Sequence, residues 1–123
     1  MHRSRLAGFI VDCQDQDPAD AARFWSRAFG MPVLGEDGPT YVSLDSSARD
    51  LVVEVQRVDH PSRVHVDIEA DDIEAEVSRL EALGARRVEK VHTWWVMQAP
   101  TGQRFCVVRA QSKGFEGGAN HWP

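Results

Sequence analysis

The residues best suited to chemistry lie in segment 63–69, where ionisable side chains alternate with apolar ones. The ionisable positions are Arg63, His65, Asp67 and Glu69. This period of two places them on one face of a β-strand. Histidine side chains titrate near neutral pH in general, so His65 is a candidate for proton transfer or for binding a metal ion. It can equally be structural, hydrogen-bonded to Asp67, Glu54 or a backbone carbonyl.

A second polar pair lies on the strand predicted for residues 51–58. Glu54 and Gln56 share one face of that strand, and Val53 and Val55 share the other. Glu54 is therefore a candidate base or ligand, and Gln56 is a candidate amide donor. The alternative is that both lie on the exposed face of an edge strand.

Other polar and aromatic residues are candidates for contacting a small molecule. Cys106 shares a strand face with Arg104 and could be a nucleophile or a ligand, although a small apolar core residue is the commoner interpretation. Trp94 and Trp95 must point to opposite faces of one strand, so we expect one to face a cleft and the other to face the core or a partner. The predicted ligand-contacting residues are Asp12, Tyr41, Gln56, Asp67, Trp94, Arg104 and Cys106.

Two helices are predicted to position these strands. The first follows Asp17, a good N-cap, and ends before Gly30. The second follows Asp71, with Glu74 as its capping-box partner, and ends before Gly84.

The chain contains an internal repeat. Gly30 and Gly84 end equivalent helices 54 residues apart (84 − 30), and both halves give the order strand, helix, three strands. We therefore predict an α+β fold of two βαβββ modules that form a curled mixed sheet with a cleft. A single domain, 1–123, is expected, with module one at 6–58, a linker at 59–62, module two at 63–109 and a tail at 110–123 that is either frayed or packed as an arm.

Composition limits the possible partners. The chain has 123 residues, 14 basic and 19 acidic, with a net charge of −5, which argues against nucleic-acid binding. The first apolar run ends at Asp12, so it is too short for a signal peptide or a membrane span. We expect a cytoplasmic protein with no membrane partner, in which Cys13 and Cys106 are reduced.

The order of several short motifs resembles the vicinal oxygen chelate superfamily, and most closely its glyoxalase-like and bleomycin-resistance branch. The motifs are Phe24-Trp25 before Phe29-Gly30, residues 64–67 (VHVD), residues 83–85 (LGA) and residues 99–106 (APTGQRFC). The resemblance covers roughly residues 6–109 and implies the glyoxalase-like fold and a homodimer. It leaves the function open, because the superfamily contains lyases, isomerases, dioxygenases and non-enzymatic drug binders.

In metal-using members of the superfamily, a ligand sits on the first and last strand of each half. The resemblance places these positions at Gly8, at Glu54 (or at Gln56 if the register shifts by two), at His65 and at Cys106. Glycine has no ligating side chain, and Cys106 stands where a carboxylate is usual.

We therefore expect a protein that binds a small molecule in a polar–aromatic cleft without a metal or other cofactor. In any catalysis, Glu54 and His65 would be the reactive residues. The alternative is a lyase, isomerase or dioxygenase that depends on one divalent metal, such as Ni, Zn, Fe or Mn, at His65 and Glu54. The cleft could lie within one chain or between two.

Overall fold

The structure is a computed structural model that describes residues 1–123, and its fold is mixed α+β. Both predicted runs of strand, helix and three strands are present. A single 3-10 turn, Ser47–Arg49, precedes β4. The elements in order are β1 (His2–Gln14), α1 (Pro18–Phe29), β2 (Val33–Asp37), β3 (Tyr41–Leu44), β4 (Val52–Val58), β5 (Arg63–Ala70), α2 (Ile73–Ala82), β6 (Arg86–Val91), β7 (Trp94–Gln98), β8 (Arg104–Arg109), α3 (Phe115–Gly118) and β9 (Asn120–Trp122).

The chain forms two compact units. Residues 8–65 make one, called here the continuous unit, and residues 1–7 together with 66–123 make the other, called the split unit. The single domain, 1–123, and the limits of its two modules, 6–58 and 63–109, remain predictions.

The continuous unit has the strand order β2-β3-β4-β1. β4 runs parallel to β1 and antiparallel to β3. α1 begins as predicted, with the Asp17 side chain accepting a hydrogen bond from the Ala19 amide at 2.9 Å, and it ends at Gly30 with φ of 70°. The helix covers one face of the sheet over a core of Val11, Cys13, Ala22, Val42, Leu44, Val53 and Val55.

In the split unit, β5 runs parallel to β8, and β8, β7 and β6 follow as antiparallel neighbours. α2 covers one face of these strands. The core beneath it consists of Ala70, Val77, Leu80, Met97, Phe105 and Val107. The alternation along residues 63–69 predicts Val64, Val66 and Ile68 on the apolar face; Val66 and Ile68 pack against that core, whereas Val64 is 61% exposed.

The predicted cap of α2 was wrong by one residue. Asp72, and not Asp71, accepts the hydrogen bond from the Ala75 amide, at 3.0 Å. The carboxylate of Asp71 is held instead by Arg3, whose backbone amide donates at 2.7 Å and whose Nε donates at 3.0 Å. Because strand β5 continues to Ala70, the helix starts one position later than the sequence pattern indicates.

The end of α2 is as predicted. Gly84 has φ of 106°, in the left-handed region that favours glycine. The Ala85 amide donates to the Leu80 carbonyl at 3.1 Å and the Gly84 amide to the Glu81 carbonyl at 3.0 Å, the two bonds of a Schellman motif.

The tail is packed and more regular than an irregular arm. Phe115 in α3 is buried, and β9 pairs antiparallel with the first residues of β1, Trp122 opposite His2. No helix of the protein is both long enough and apolar enough to cross a bilayer.

Candidate functional site

The predicted site residues are divided between the two units. The continuous unit contains Asp12, Tyr41, Glu54, Gln56 and His65, and the split unit contains Asp67, Trp94, Arg104 and Cys106.

Polar side chains line the face of the continuous unit opposite α1. Val53 and Val55 belong to the core beneath α1, so Glu54 and Gln56 point to the other face, as predicted. Gln56 is the register partner of Tyr41 on β3 and of Asp12 on β1. The backbone therefore brings Tyr41, Gln56 and Asp12 into one row across three strands, which we call the polar row.

His65 meets this row through Asp12. His65 Nδ1 lies 2.7 Å from Asp12 Oδ2, and the two side chains are 12% and 2% exposed. The carboxylate can only accept a hydrogen bond, so Nδ1 carries a hydrogen and donates it. In the neutral ring this makes Nε2 the nitrogen with the lone pair. Asp12 is not among the partners that the sequence suggested for His65.

The environment of the Asp12 carboxylate is asymmetric. Oδ2 contacts His65, and the guanidinium Nε of Arg63 lies 3.9 Å from the same oxygen. Oδ1 is buried and has no hydrogen-bond donor of the chain within reach. Since a buried carboxylate is costly unless it is paired, its contact with His65 is a strong restraint on the imidazole ring.

Ser43 is a polar neighbour of Glu54 that was not among the predicted site residues. Its hydroxyl donates to Glu54 Oε2 at 3.0 Å, and the two residues are register partners on β3 and β4. Ser43 lies two positions after Tyr41 on the same strand, so the alternation of the sequence already indicates that it shares the face of Tyr41. The contact fixes the carboxylate of Glu54 within the polar face.

Accessible space borders two members of the polar row, Asp12 at one end and Gln56 in the middle. Asp12 and Arg63 line a depression of about 540 Å³ together with Phe24 and Trp25. Gln56 lines a second depression of about 540 Å³. The first depression, whose lining includes residues of α1, gives a small molecule access to Asp12, and the second gives access to Gln56.

Gly8 occupies a place that admits no side chain. A Cβ added there would lie 1.8 Å from the carbonyl oxygen of Val52, its partner on β4. The first ligand position implied by the resemblance is thus empty and cannot be filled by substitution. Of the three ligand positions that the resemblance places in this unit, Gly8 therefore supplies no donor, whereas Glu54 and His65 keep side chains able to ligate.

The split unit carries its predicted residues on one sheet face. Asp67 on β5 is the register partner of Cys106 on β8, and Cys106 is the partner of Val96 on β7. Arg104 lies two positions from Cys106 and shares its face. The neighbouring positions Phe105 and Met97 belong to the core on the other side.

The two tryptophans of β7 separate as predicted. Trp95 packs against the core, and its indole Nε1 donates to Glu74 Oε1 at 2.9 Å. Trp94 points to the opposite face, where its ring centroid lies 5.5 Å from that of His92. Trp94 therefore shares the sheet face of Asp67 and Cys106.

The two cysteines are free thiols in different surroundings. Burial, with a smaller contribution from the nearby Asp12 charge, raises the pKa of Cys13 above its ordinary value. Cys106 is partly exposed. Cys13 is consequently a core residue with little thiolate character, whereas Cys106 keeps access to solvent.

Comparisons with known proteins identify the fold. A family model described as a glyoxalase-like domain matches residues 8–108. A comparison with curated proteins gives no match.

Three solved structures illustrate the structural similarity. An NAD-dependent benzaldehyde dehydrogenase from Legionella pneumophila has a TM-score of 0.63 at 9% identity, over 84% of this chain and 99% of that one. A mutant of 4-hydroxymandelate synthase from Streptomyces coelicolor has a TM-score of 0.54 at 14% identity, over 89% of this chain and 51% of that one. A glyoxalase/bleomycin resistance protein/dioxygenase superfamily member from Vibrio splendidus 12B01 has a TM-score of 0.51 at 21% identity, over 85% and 98%. At these identities the similarity is one of fold.

Proposed function

This chain belongs to the glyoxalase-like domain family, and we propose that it binds a small molecule at the polar face of the continuous unit without a metal ion. The observation that carries this proposal is the polar row, Tyr41, Gln56 and Asp12 in register, with His65 hydrogen-bonded to its last member. A few convergent polar groups beside accessible space are typical of a ligand site.

The chemistry of the row defines the class of ligand. Tyr41 offers a phenol hydroxyl, Gln56 an amide, and His65 an imidazole whose Nδ1 is engaged by Asp12. Glu54 adds a carboxylate that Ser43 holds in place. These groups suit a planar or aromatic molecule with both hydrogen-bond donors and acceptors.

Asp12 and Ser43 are positioning residues in this proposal. Asp12 orients the imidazole ring of His65 through the hydrogen bond at Nδ1. Four residues on the polar face of the split unit remain predicted ligand contacts: Asp67, Trp94, Arg104 and Cys106.

Two features support binding without a metal ion. Gly8 has no room for a ligating side chain, because Val52 fills that space with its backbone, and the thiol of Cys106 stands where relatives use a carboxylate. A stable site for one divalent ion needs three or four ligands. The metal-dependent lyase, isomerase or dioxygenase stays the alternative, because His65 and Glu54 keep side chains able to bind a divalent ion.

Metal analysis separates the two proposals. Protein purified without added metal should contain less than one tenth of an equivalent of Ni, Zn, Fe or Mn per chain by inductively coupled plasma mass spectrometry. One equivalent that disappears in His65→Ala would contradict the metal-free proposal. A homodimer and a cytoplasmic location stay predictions.

Fragment binding tests the site itself. Saturation-transfer NMR with phenols and aromatic amides should detect binding to the natural chain and a loss of at least fivefold in affinity for Tyr41→Phe and Gln56→Ala. Arg49→Ala, an exposed change elsewhere in the same unit, is the matched control and should bind normally. Equal binding by all four proteins would refute the assignment of the polar row.

A further inference from the structure

A separate cavity of about 450 Å³ lies within the split unit. Residues of α2, the first part of β1, β5, β8 and β9 line it. We propose that this cavity is a second binding site and that it accepts a neutral, largely apolar ring compound.

The cavity is distinct from the polar faces that carry the predicted site residues. Its apolar walls are formed by Leu6, Val66, Ile68, Phe105 and Trp122. On β5, Val66 and Ile68 point to the α2 side of the sheet, whereas Asp67 between them points to the other side.

Each charged group in the wall already has a partner: Arg5 donates to Glu69 Oε2 at 2.9 Å, and Glu76 pairs with Arg79. Glu76 is 0% exposed, and its carboxylate accepts hydrogen bonds from His2 Nε2 at 2.8 Å, from the Ser4 hydroxyl at 2.7 Å and from two nitrogens of Arg79 at 2.8 Å each. The Arg79 guanidinium also stacks on Trp122, 3.8 Å from the ring centroid.

Because the charged groups of the wall already have partners, we expect the ligand to be neutral. The carboxylate of Glu76 and the guanidinium of Arg79 already satisfy each other, so a charged ligand would be desolvated in the cavity without gaining a partner. A neutral ligand avoids that cost. The side-chain amides of Asn120 and Gln103 line the same cavity and can hydrogen-bond one polar substituent of the ligand.

The volume indicates the size of the ligand. An apolar cavity of about 150 Å³ binds benzene, so a cavity of about 450 Å³ has room for two or three rings. The aromatic walls Phe105 and Trp122 favour a ring compound over an extended chain, because ring pairs gain energy beyond the area that they bury.

The test uses N-phenyl-1-naphthylamine, a neutral three-ring probe whose fluorescence rises in apolar surroundings. The full chain should bind it saturably, one molecule per chain, with a Kd in the micromolar range. Leu6→Trp and Ala99→Phe, which place larger side chains into the cavity, should each weaken binding at least tenfold. Ala99 packs against the core, so Ala99→Phe can weaken binding by disturbing the fold as well as by filling the cavity. Leu6 is 45% exposed and tolerates change, so Leu6→Trp tests the filling of the cavity without that effect.

Matched controls define the result. Leu83→Trp, at a residue of the same unit that is 65% exposed and outside the cavity, should bind the probe as the natural chain does. The anionic analogue 8-anilinonaphthalene-1-sulfonate should bind at least tenfold more weakly than the neutral probe. Absence of saturable binding, unchanged affinity in both cavity variants, or tighter binding of the anion would each overturn the proposal.

This outcome is independent of the function proposed for the continuous unit. Tyr41→Phe and Gln56→Ala should leave the affinity for N-phenyl-1-naphthylamine unchanged. Failure of the fragment experiment therefore leaves this proposal intact, and the reverse also holds.

Discussion

His65 Nδ1 and Asp12 Oδ2 lie 2.7 Å apart, with the carboxylate buried and the imidazole largely so. The two residues are 53 positions apart in the chain. The contact joins the start of β5 to the end of β1 within the continuous unit. Its consequence is a fixed imidazole orientation, which both binding and proton transfer require.

The tautomer of His65 should depend on the acceptor at position 12. In the natural chain, ¹⁵N NMR of the neutral imidazole should show the hydrogen on Nδ1, because Oδ2 of Asp12 accepts it. Asp12→Asn keeps a carbonyl acceptor and should retain that tautomer. Asp12→Ala removes the acceptor and should lose it. An Nδ1–H tautomer that persists in Asp12→Ala would show that Asp12 does not orient the ring.

Gly8 should be intolerant of the smallest side chain. Gly8→Ala would bring Cβ to 1.8 Å from the Val52 carbonyl oxygen, which is backbone and cannot rotate away. We expect the free energy of unfolding in urea to fall by about 3 kcal/mol or more, at the upper end of overpacking costs. Gly35→Ala, whose added Cβ meets nothing within 4 Å, is the control and should be close to neutral. Similar stabilities for the two variants would rule out the close backbone approach.

Stability should fall in acid because of two buried carboxylates. Burial alone would raise the pKa of Glu69, but hydrogen bonds from Ser112, from Arg5 and from two backbone amides outweigh it and lower that pKa below its ordinary value. The pKa of Glu76 is likewise lowered, because Arg79, His2 and Ser4 outweigh its burial. Carboxyls with depressed pKa values in the folded state stabilise the protein fully above the unfolded pKa. That contribution is lost as the pH falls from about 4.5 through the lower folded values.

Glu76→Gln isolates one of these carboxylates. At pH 7 it should lower the free energy of unfolding by about 3 kcal/mol, because it leaves the Arg79 charge without its partner. The loss of stability between pH 5 and pH 3 should also become smaller than in the natural chain. Glu116→Gln, at an exposed carboxylate paired with Arg3, is the control and should change the urea midpoint little at either pH. If Glu76→Gln and the natural chain lose the same stability between pH 5 and pH 3, the ionisation of Glu76 does not contribute to the acid sensitivity.

Trp122 should hold the tail in place. Its indole Nε1 donates to the Ser4 hydroxyl at 2.9 Å, and its ring stacks on Arg79. Trp122→Ala should cost about 1–3 kcal/mol, from one hydrogen bond and one cation–π contact. Amide hydrogen exchange of residues 2–4 should accelerate at the same time, since β9 pairs with them. His121→Ala, an exposed change in the same strand, should leave exchange unaltered.

The local elements were predictable because their signals are local. Alternation along β4 and β5, the cap at Asp17 and the stops at Gly30 and Gly84 all depend on residues within one or two turns. The start of α2 was missed by one residue because two adjacent aspartates are chemically equivalent as caps. Only the distant Arg3, which binds Asp71, decides between them.

The contacts within the site were less predictable, because they depend on register. Glu54 and Gln56 were placed on the polar face by alternation alone, whereas Ser43 and Asp12 became their neighbours through strand pairing. The same limit applies to Gly8, whose close approach to Val52 no local pattern reveals. Glu76 did carry a signal, since it interrupts the apolar stripe of α2 three residues after Ile73, with Arg79 one turn further on.

The pairing of β9 with the start of β1 has a consequence for how the chain folds during synthesis. Residues 8–65 form a compact unit from one continuous segment, so this unit can fold before the rest of the chain has been made. Residues 2–4 obtain their strand partner in β9 only when residues 120–122 have been made, because Trp122 pairs with His2. A long loop must close before this contact forms, which slows folding. A nascent chain halted before residue 120 should therefore protect the continuous unit from proteases while its first strand residues stay open to cleavage.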